Sequence, residues 1–442
     1  MKNKFELLFT TLGLLSLIGG MFFGVIASLQ FVYPGFLESI PFYKTRPLHV
    51  SLIVAWIFLS SIGGIYYYLP NYNNIKLHSR FLGILHFSIF LFTGILILIC
   101  YFLGEFGGRE YWEFPPILAI PIFVSWIIFG WNYFKTAFKT ASNWPVYMWM
   151  WATGIFFFLF TFSEAYLWLL PQFKGNVIKE LTLQWKAYGA LVGSWNMLVY
   201  GTAIFLMEKI KKNSHIGRSK IAFLMYFLGL INLMFGWAHH IYNVPTAMWI
   251  RYLAYLVSMS ELIILAKIIY NWKKSLTESV KDFNILPYKF LVASDIWILL
   301  NLILALLLSV PAINMYTHGT HITVAHAMGS TIGINTMILL ASCLFLIDKI
   351  TKIEYTSSEI KTIKYGYTFL NIFLLIFWVS LIIAGTIKGQ DVINNQLSFQ
   401  EIMTKINPIL IVFSISGIGV FLSILAITIY PIKKSLIFLF NK

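Results

Sequence analysis

The chain has 442 residues, 59% of them hydrophobic and only 11% charged, with a net charge of +15, against about 25% charged residues in ordinary soluble domains. That balance excludes a soluble globular enzyme and leaves a polytopic membrane protein. The lysines fall mostly in short loops between apolar runs, so the positive-inside bias explains the charge and nucleic acid is not expected as a partner.

Runs long enough to cross the hydrocarbon core, about 20 residues each, fall near 8–32, 47–70, 80–103, 117–136, 147–171, 183–208, 220–242, 248–271, 288–311, 320–347, 366–388 and 406–432. They predict an all-α membrane protein, a bundle of about twelve transmembrane helices, with residues 1–442 as one polytopic domain in contact with lipid. The first run follows Lys2, Lys4 and Glu6 without a small-residue cleavage site and reads as a retained helix. Loops holding Lys76/Arg80, Lys135/Lys139, Lys209/Lys211/Lys212/Arg218, Lys273/Lys274 and Lys349/Lys352/Lys361/Lys364 alternate with loops poorer in basic residues. The rich set, with both termini, is therefore expected on the cytoplasmic side.

Six of the nine histidines lie in three strings: RPLH at Arg46–His49, WAHHIY at Trp237–Tyr242 and YTHGTHITVAH at Tyr316–His326. Imidazole is costly to bury in hydrocarbon without a partner, so histidines at membrane depth point to function. In the expected orientation His49 opens span two, His239 and His240 close span seven, and His326 lies within two turns of the start of span ten. All four then face the outer side, which argues for one site. His239 and His240 stand about 100° apart on a helix and suit iron or copper; the plainer alternative is a pair of capping histidines beside Asn243 and Pro245. His326 and Met328 point to nearly opposite sides of their helix, so one span can touch two haems, and a His/Met pair raises a haem's potential. Packing is the alternative for Met328. Cys100 and Cys343 lie in apolar runs with no CxxC or CxxCH, so any haem is held by side chains alone.

Glu261, in SMSEL on span eight, is a mid-span carboxyl suited to relaying protons near a metal or water chain, or else a neutral hydrogen-bonded acid. Glu110 shares an acidic, lysine-free loop with Glu105 and Glu113, where a hard cation such as calcium finds oxygen ligands, or which is simply solvated. Glu164 reads as an intramembrane acid of span five and a candidate for a proton path, and His86, with no obvious partner in the sequence, as a buried hydrogen-bonded histidine of span three.

RPLHVSLIVAW with YYYLP, GREYWEFPP, GWAHHIYNVP and YTHGTHITVAHAM, in this order and spacing, resemble the catalytic large subunit of bacterial nitric oxide reductase, within the haem-copper oxidase superfamily. The resemblance spans essentially the whole chain. It implies a haem-copper oxidase subunit I-like fold in the bacterial inner membrane, two b-type haems and a non-haem iron. Electrons would come from a cytochrome c subunit or soluble cytochrome c, and two molecules of nitric oxide would become nitrous oxide and water. By motif, His49 resembles an axial ligand of the low-spin haem and His326 the proximal ligand of the high-spin haem. His239 and His240 match two ligands of the non-haem metal, Glu261 an acid near it, and Glu110 an acid that helps bind calcium between haem propionates.

The chain departs from this pattern twice. Where the family carries a third metal-binding histidine and a glutamate on span six, QWKAYGALVGSWNML places Tyr188 and Val192. The family's HxH reads His326-Ala327-Met328, making Met328 the second low-spin ligand. A first-row ion held by two histidines alone is under-coordinated unless Tyr188, as phenolate, Glu261 or solvent completes the shell. Three readings stay open: reduction of nitric oxide or dioxygen at a modified dinuclear centre, nitric oxide turned over by another route, or a haem electron-transfer or gas-binding subunit without the second metal.

Overall fold

The computed structural model describes residues 4–72, 75–275 and 285–440. Its helices are α1 (Lys4–Val32), α2 (Phe42–Tyr72), α3 (Arg80–Leu103), α4 (Ala119–Ala137), α5 (Val146–Glu164), α6 (Val177–Ile210), α7 (Lys220–Phe235), α8 (Met248–Ser275), α9 (Leu286–Leu308), α10 (Pro311–Thr317), α11 (His321–Met328), α12 (Met337–Thr351), α13 (Ser357–Gln390) and α14 (Phe399–Phe440). Among the described residues there is no strand, only an isolated bridge between Arg109 and Trp112. Among the described residues eleven helical segments are long and apolar enough to cross a bilayer, and α8, with 28 residues, is a further long helix. The all-helical membrane bundle expected from the apolar runs is the fold observed.

The helices group into two compact units, residues 1–139 with 339–442, and residues 140–338. In the first, α1 lies along α2 wherever glycine removes the side chain from the crossing. A Cβ on Gly20 would stand 2.8 Å from Ile53, and one on Gly63 would meet Thr10 at 2.8 Å. Such close backbone approach is how helices associate where lipid removes the hydrophobic drive between them. Tyr68 of α2 reaches Ser342 of α12, Oη to Oγ 2.7 Å, and Ser414 of α14 donates to the carbonyl of Ser28. The α13–α14 turn is closed by Lys405, whose Nζ lies 2.9 Å from both carboxylate oxygens of Asp391.

In the second unit α6 is the central post. Cβ atoms at Gly154, Gly193 and Gly189 would meet Ser194, Leu233 and Trp237 within 2.5–2.8 Å, so α5, α7 and the segment after α7 all press onto it. Two departures from the α-helix matter for the histidines. Span seven does not stay α-helical to 242: Phe235 leaves helical geometry (φ −132°) and Gly236–Ile241 winds as a 3-10 helix. Span ten opens into a π-helix over Gly329–Thr336, directly after α11. Trp297 of α9 fills the space above Gly333, and Thr336 bonds five residues back to the Thr331 carbonyl at 2.9 Å.

Candidate functional site

The 3-10 winding separates adjacent residues by about 120°, more than the 100° of an α-helix, yet His239 and His240 stay together, their ring centroids 4.2 Å apart. Their partners come from the α10–α11 corner. His318 ends α10 in an extended conformation. Gly319 (φ +74°) then turns the chain through the left-handed region that glycine enters without a Cβ penalty. Thr320 caps α11 by accepting from the Ile322 N–H, and α11 carries His326.

The four imidazoles of His239, His240, His318 and His326 line one small cavity, of about 20 Å³, with Ala305, Leu308, Asn314 and Thr323. Among the described residues no acidic side chain is in that lining. Nδ1 of His240, Nε2 of His318 and Nδ1 of His326 are buried without a hydrogen-bond partner. Buried polar groups nearly always have one, so three orphaned ring nitrogens in one cavity mark a place built for an electron-pair acceptor or a proton donor. Burial also holds the His318 imidazole below its ordinary pKa, which keeps it neutral, the form that binds metals. The donor set suits a first-row transition ion, although among the described residues no three His, Cys, Asp or Glu side chains stand as a finished metal cage.

The surroundings fix these rings. Trp185 of α6 stacks on His240 at 4.7 Å and 8°, and meets His318 edge-on at 5.7 Å. Asn314 donates to the carbonyls of Leu308 (2.9 Å) and His239 (3.4 Å). Ser258 Oγ lies 3.5 Å from His239 Nδ1. Tyr242 anchors the far end of the 3-10 turn by donating to the Ser309 carbonyl.

In the other unit, His49 Nδ1 lies 2.7 Å from the Gly20 carbonyl, and the ring fills the space where a Cβ on Gly24 would stand, 2.7 Å from Nδ1. An imidazole that donates one nitrogen to a backbone carbonyl presents the other as a ligand in a fixed tautomer, so His49 fits an axial haem position. One turn earlier, Arg46 uses its two amino nitrogens to hold Glu110 (2.5 Å) and Glu113 (2.7 Å). The acids expected to hold calcium are therefore engaged by a guanidinium.

Other expected residues fall as follows. Met328 is the last residue of α11, partly buried and two positions from His326, with exposed Ala327 between them. Tyr188 is buried on α6 but is not among the cavity-lining residues; Trp185, one turn earlier on the same helix, is the residue that reaches the histidines. Glu261 belongs to α8, and its side chain lies outside those described. Glu164 is the last residue of α5, inside the candidate span Val146–Leu169, and is ion-paired with Lys186. His86 is buried and hydrogen-bonded as expected, its partner being the Tyr66 hydroxyl at 3.1 Å. The sequence reading missed Trp185 and Asn314. The helical spacing of Trp185 to Tyr188 puts both on one side of α6, and that was the only available signal.

The sequence profile of the family described as cytochrome c and quinol oxidase polypeptide I matches residues 4–419. Among characterised proteins, the chain is 23% identical over 407 residues to the B subunit of nitric oxide reductase from Stutzerimonas stutzeri, covering 85% of this chain and 82% of that protein. Among solved structures it is similar to a heme-copper terminal oxidase dimer determined by cryo-EM, with a TM-score of 0.78 at 14% identity. That match covers 99% of this chain and 84% of the other.

Proposed function

We infer, from the premise that this chain belongs to the cytochrome c and quinol oxidase polypeptide I family, that it is a haem-containing oxidoreductase of the bacterial inner membrane that reduces nitric oxide to nitrous oxide and water. The observation that carries this reading is the cavity where four imidazoles meet, three of them with buried unpartnered nitrogens. The similarity to the B subunit of a nitric oxide reductase over most of both sequences favours nitric oxide as the substrate.

In this reading His326 is the proximal ligand of a high-spin haem b, while His49 and Met328 bind a low-spin haem b that accepts electrons from a cytochrome c partner. His239 and His240 hold a non-haem iron or copper. Haem and second metal, when bound, supply the electrons and the Lewis acidity that stabilise negative charge on the substrate oxygens. The protein supplies geometry. Asn314 ties His239 to the α10 corner, the Trp185 stack fixes the His240 plane, and the apolar Ala305 and Leu308 walls keep bulk water away. Glu261 of α8 is the residue proposed to relay protons to the site. Glu110, held by Arg46, would contribute to a calcium site only by exchanging that partner.

Turnover by purified, metal-counted protein with reduced cytochrome c, measured with nitric oxide in the absence of dioxygen and separately with dioxygen, tests the reading. Consumption of nitric oxide with half a molar equivalent of nitrous oxide is expected. Steady dioxygen uptake without nitrous oxide formation would replace it with the oxidase reading. Two haems with no further metal and no turnover would leave an electron carrier.

A further inference from the structure

We propose that His318 is a third imidazole donor to the ion held by His239 and His240, filling the role for which α6 supplies no histidine. The proposal rests on reading the cavity as a metal site. His318 lines that cavity together with the pair, and its Nε2 is buried without a hydrogen-bond partner. Its ring centroid lies 6.0 Å from that of His240, while His239 and His240 are 4.2 Å apart. Three imidazoles bound to one tetrahedral ion at about 2.0–2.1 Å place their centroids roughly 5 Å apart, and the two observed separations bracket that value. Among the described residues no three His, Cys, Asp or Glu side chains already converge on one point, so His318 has to turn about its side-chain bonds when the ion binds.

The corner is also held in register with the pair. The His318 N–H donates to the Asn314 carbonyl at 2.9 Å, and Asn314 in turn donates to the His239 carbonyl 75 residues earlier in sequence. Trp185 touches both His240 and His318, so one indole sets the angle between two donors. Three neutral imidazoles leave a four-coordinate ion one open position, the arrangement of three-histidine catalytic sites.

The test loads full-length, haem-containing protein with copper(II) after chelation and reads two quantities besides activity: retained copper, and the number of imidazole nitrogens coupled to it in pulsed electron paramagnetic resonance. Three nitrogens are expected in the wild type and two in His318→Ala. Copper affinity should fall in that variant by at least the roughly 10–100-fold that loss of a mere outer-shell partner costs. Should His318→Ala fail to accumulate, His318→Cys decides the matter, since a thiolate donor should give two nitrogens and a sulfur-to-copper charge-transfer band. A wild-type count of two, an unchanged count and affinity in His318→Ala, or no charge-transfer band in His318→Cys overturns the proposal. If His240→Ala abolishes binding while His318→Ala does not, only the proposal falls. If neither wild type nor variants bind copper, the cavity's reading as a metal site falls with it.

Discussion

At the scale of single residues, the clearest fit is between His49 and two glycines of α1. The imidazole bonds to the Gly20 carbonyl and fills the notch at Gly24, so the side chain that would ligate haem is aimed by the absence of others. Gly24→Ala should push the ring off its hydrogen bond, costing about 1–3 kcal/mol in overpacking. It should also deplete the low-spin haem bands, read as the reduced-minus-oxidised spectrum per haem extracted; unaltered bands would mean His49 is not aimed by this notch. A second residue-scale prediction concerns Glu113, 14% exposed and bonded to Arg46. Burial raises its carboxyl above the usual value, and Arg46 opposes the rise without cancelling it. A carboxyl whose folded pKa is raised contributes stability below its unfolded pKa, and that contribution is lost as pH climbs through the folded value. The unfolding midpoint of wild type relative to Glu113→Gln should therefore decline as pH rises above the ordinary glutamate value of about 4.3 toward the raised folded one, followed in detergent by intrinsic fluorescence. A constant difference would remove the argument.

At the scale of elements, α6 and the 3-10 turn are locked through Gly189, where a Cβ would lie 2.5 Å from that of Trp237. Trp185 is one turn away on α6 and stacks on His240, so spreading this crossing unstacks the ring. Gly189→Val should lower copper retention and thermal stability together, while Gly94→Ala, whose Cβ meets nothing within 4 Å, should leave the stability equal or raise it by about 0.5–1 kcal/mol. Metal binding and melting temperature of both variants check this. The existence of the spans and the grouping of histidines at helix ends were legible in the sequence, because apolar length and rare buried imidazoles are strong signals. The 3-10 and π windings were not, since hydrophobic periodicity does not resolve a change of one residue per turn. Pairings such as Glu164 with Lys186 or Tyr66 with His86 join different helices, and no local pattern encodes them.

At the scale of the whole molecule, composition alone led to the helical membrane class, and the ordered motifs led to the family that the profile then matched over residues 4–419. The motifs could not show what replaces the missing span-six histidine, because that answer lies in how the α10 corner meets the 3-10 turn. Orientation in the bilayer is the remaining whole-molecule property with a direct test. The α5–α6 connection contains exposed Gln172, and the α6–α7 connection contains exposed Ser214 among Lys211, Lys212 and Arg218. One helix, α6, of 34 residues, separates them, enough at about 1.5 Å per residue to span a hydrocarbon core of about 30 Å, so the two connections lie on opposite sides. Basic residues are retained on the cytoplasmic side, so Ser214→Cys should resist a membrane-impermeant maleimide added to spheroplasts, while Gln172→Cys should react. The native Cys100 and Cys343 are replaced by alanine to clear the background. The reverse labelling pattern would invert the protein and put the histidine cavity on the side away from a periplasmic electron donor, which the proposed cytochrome c reaction does not survive.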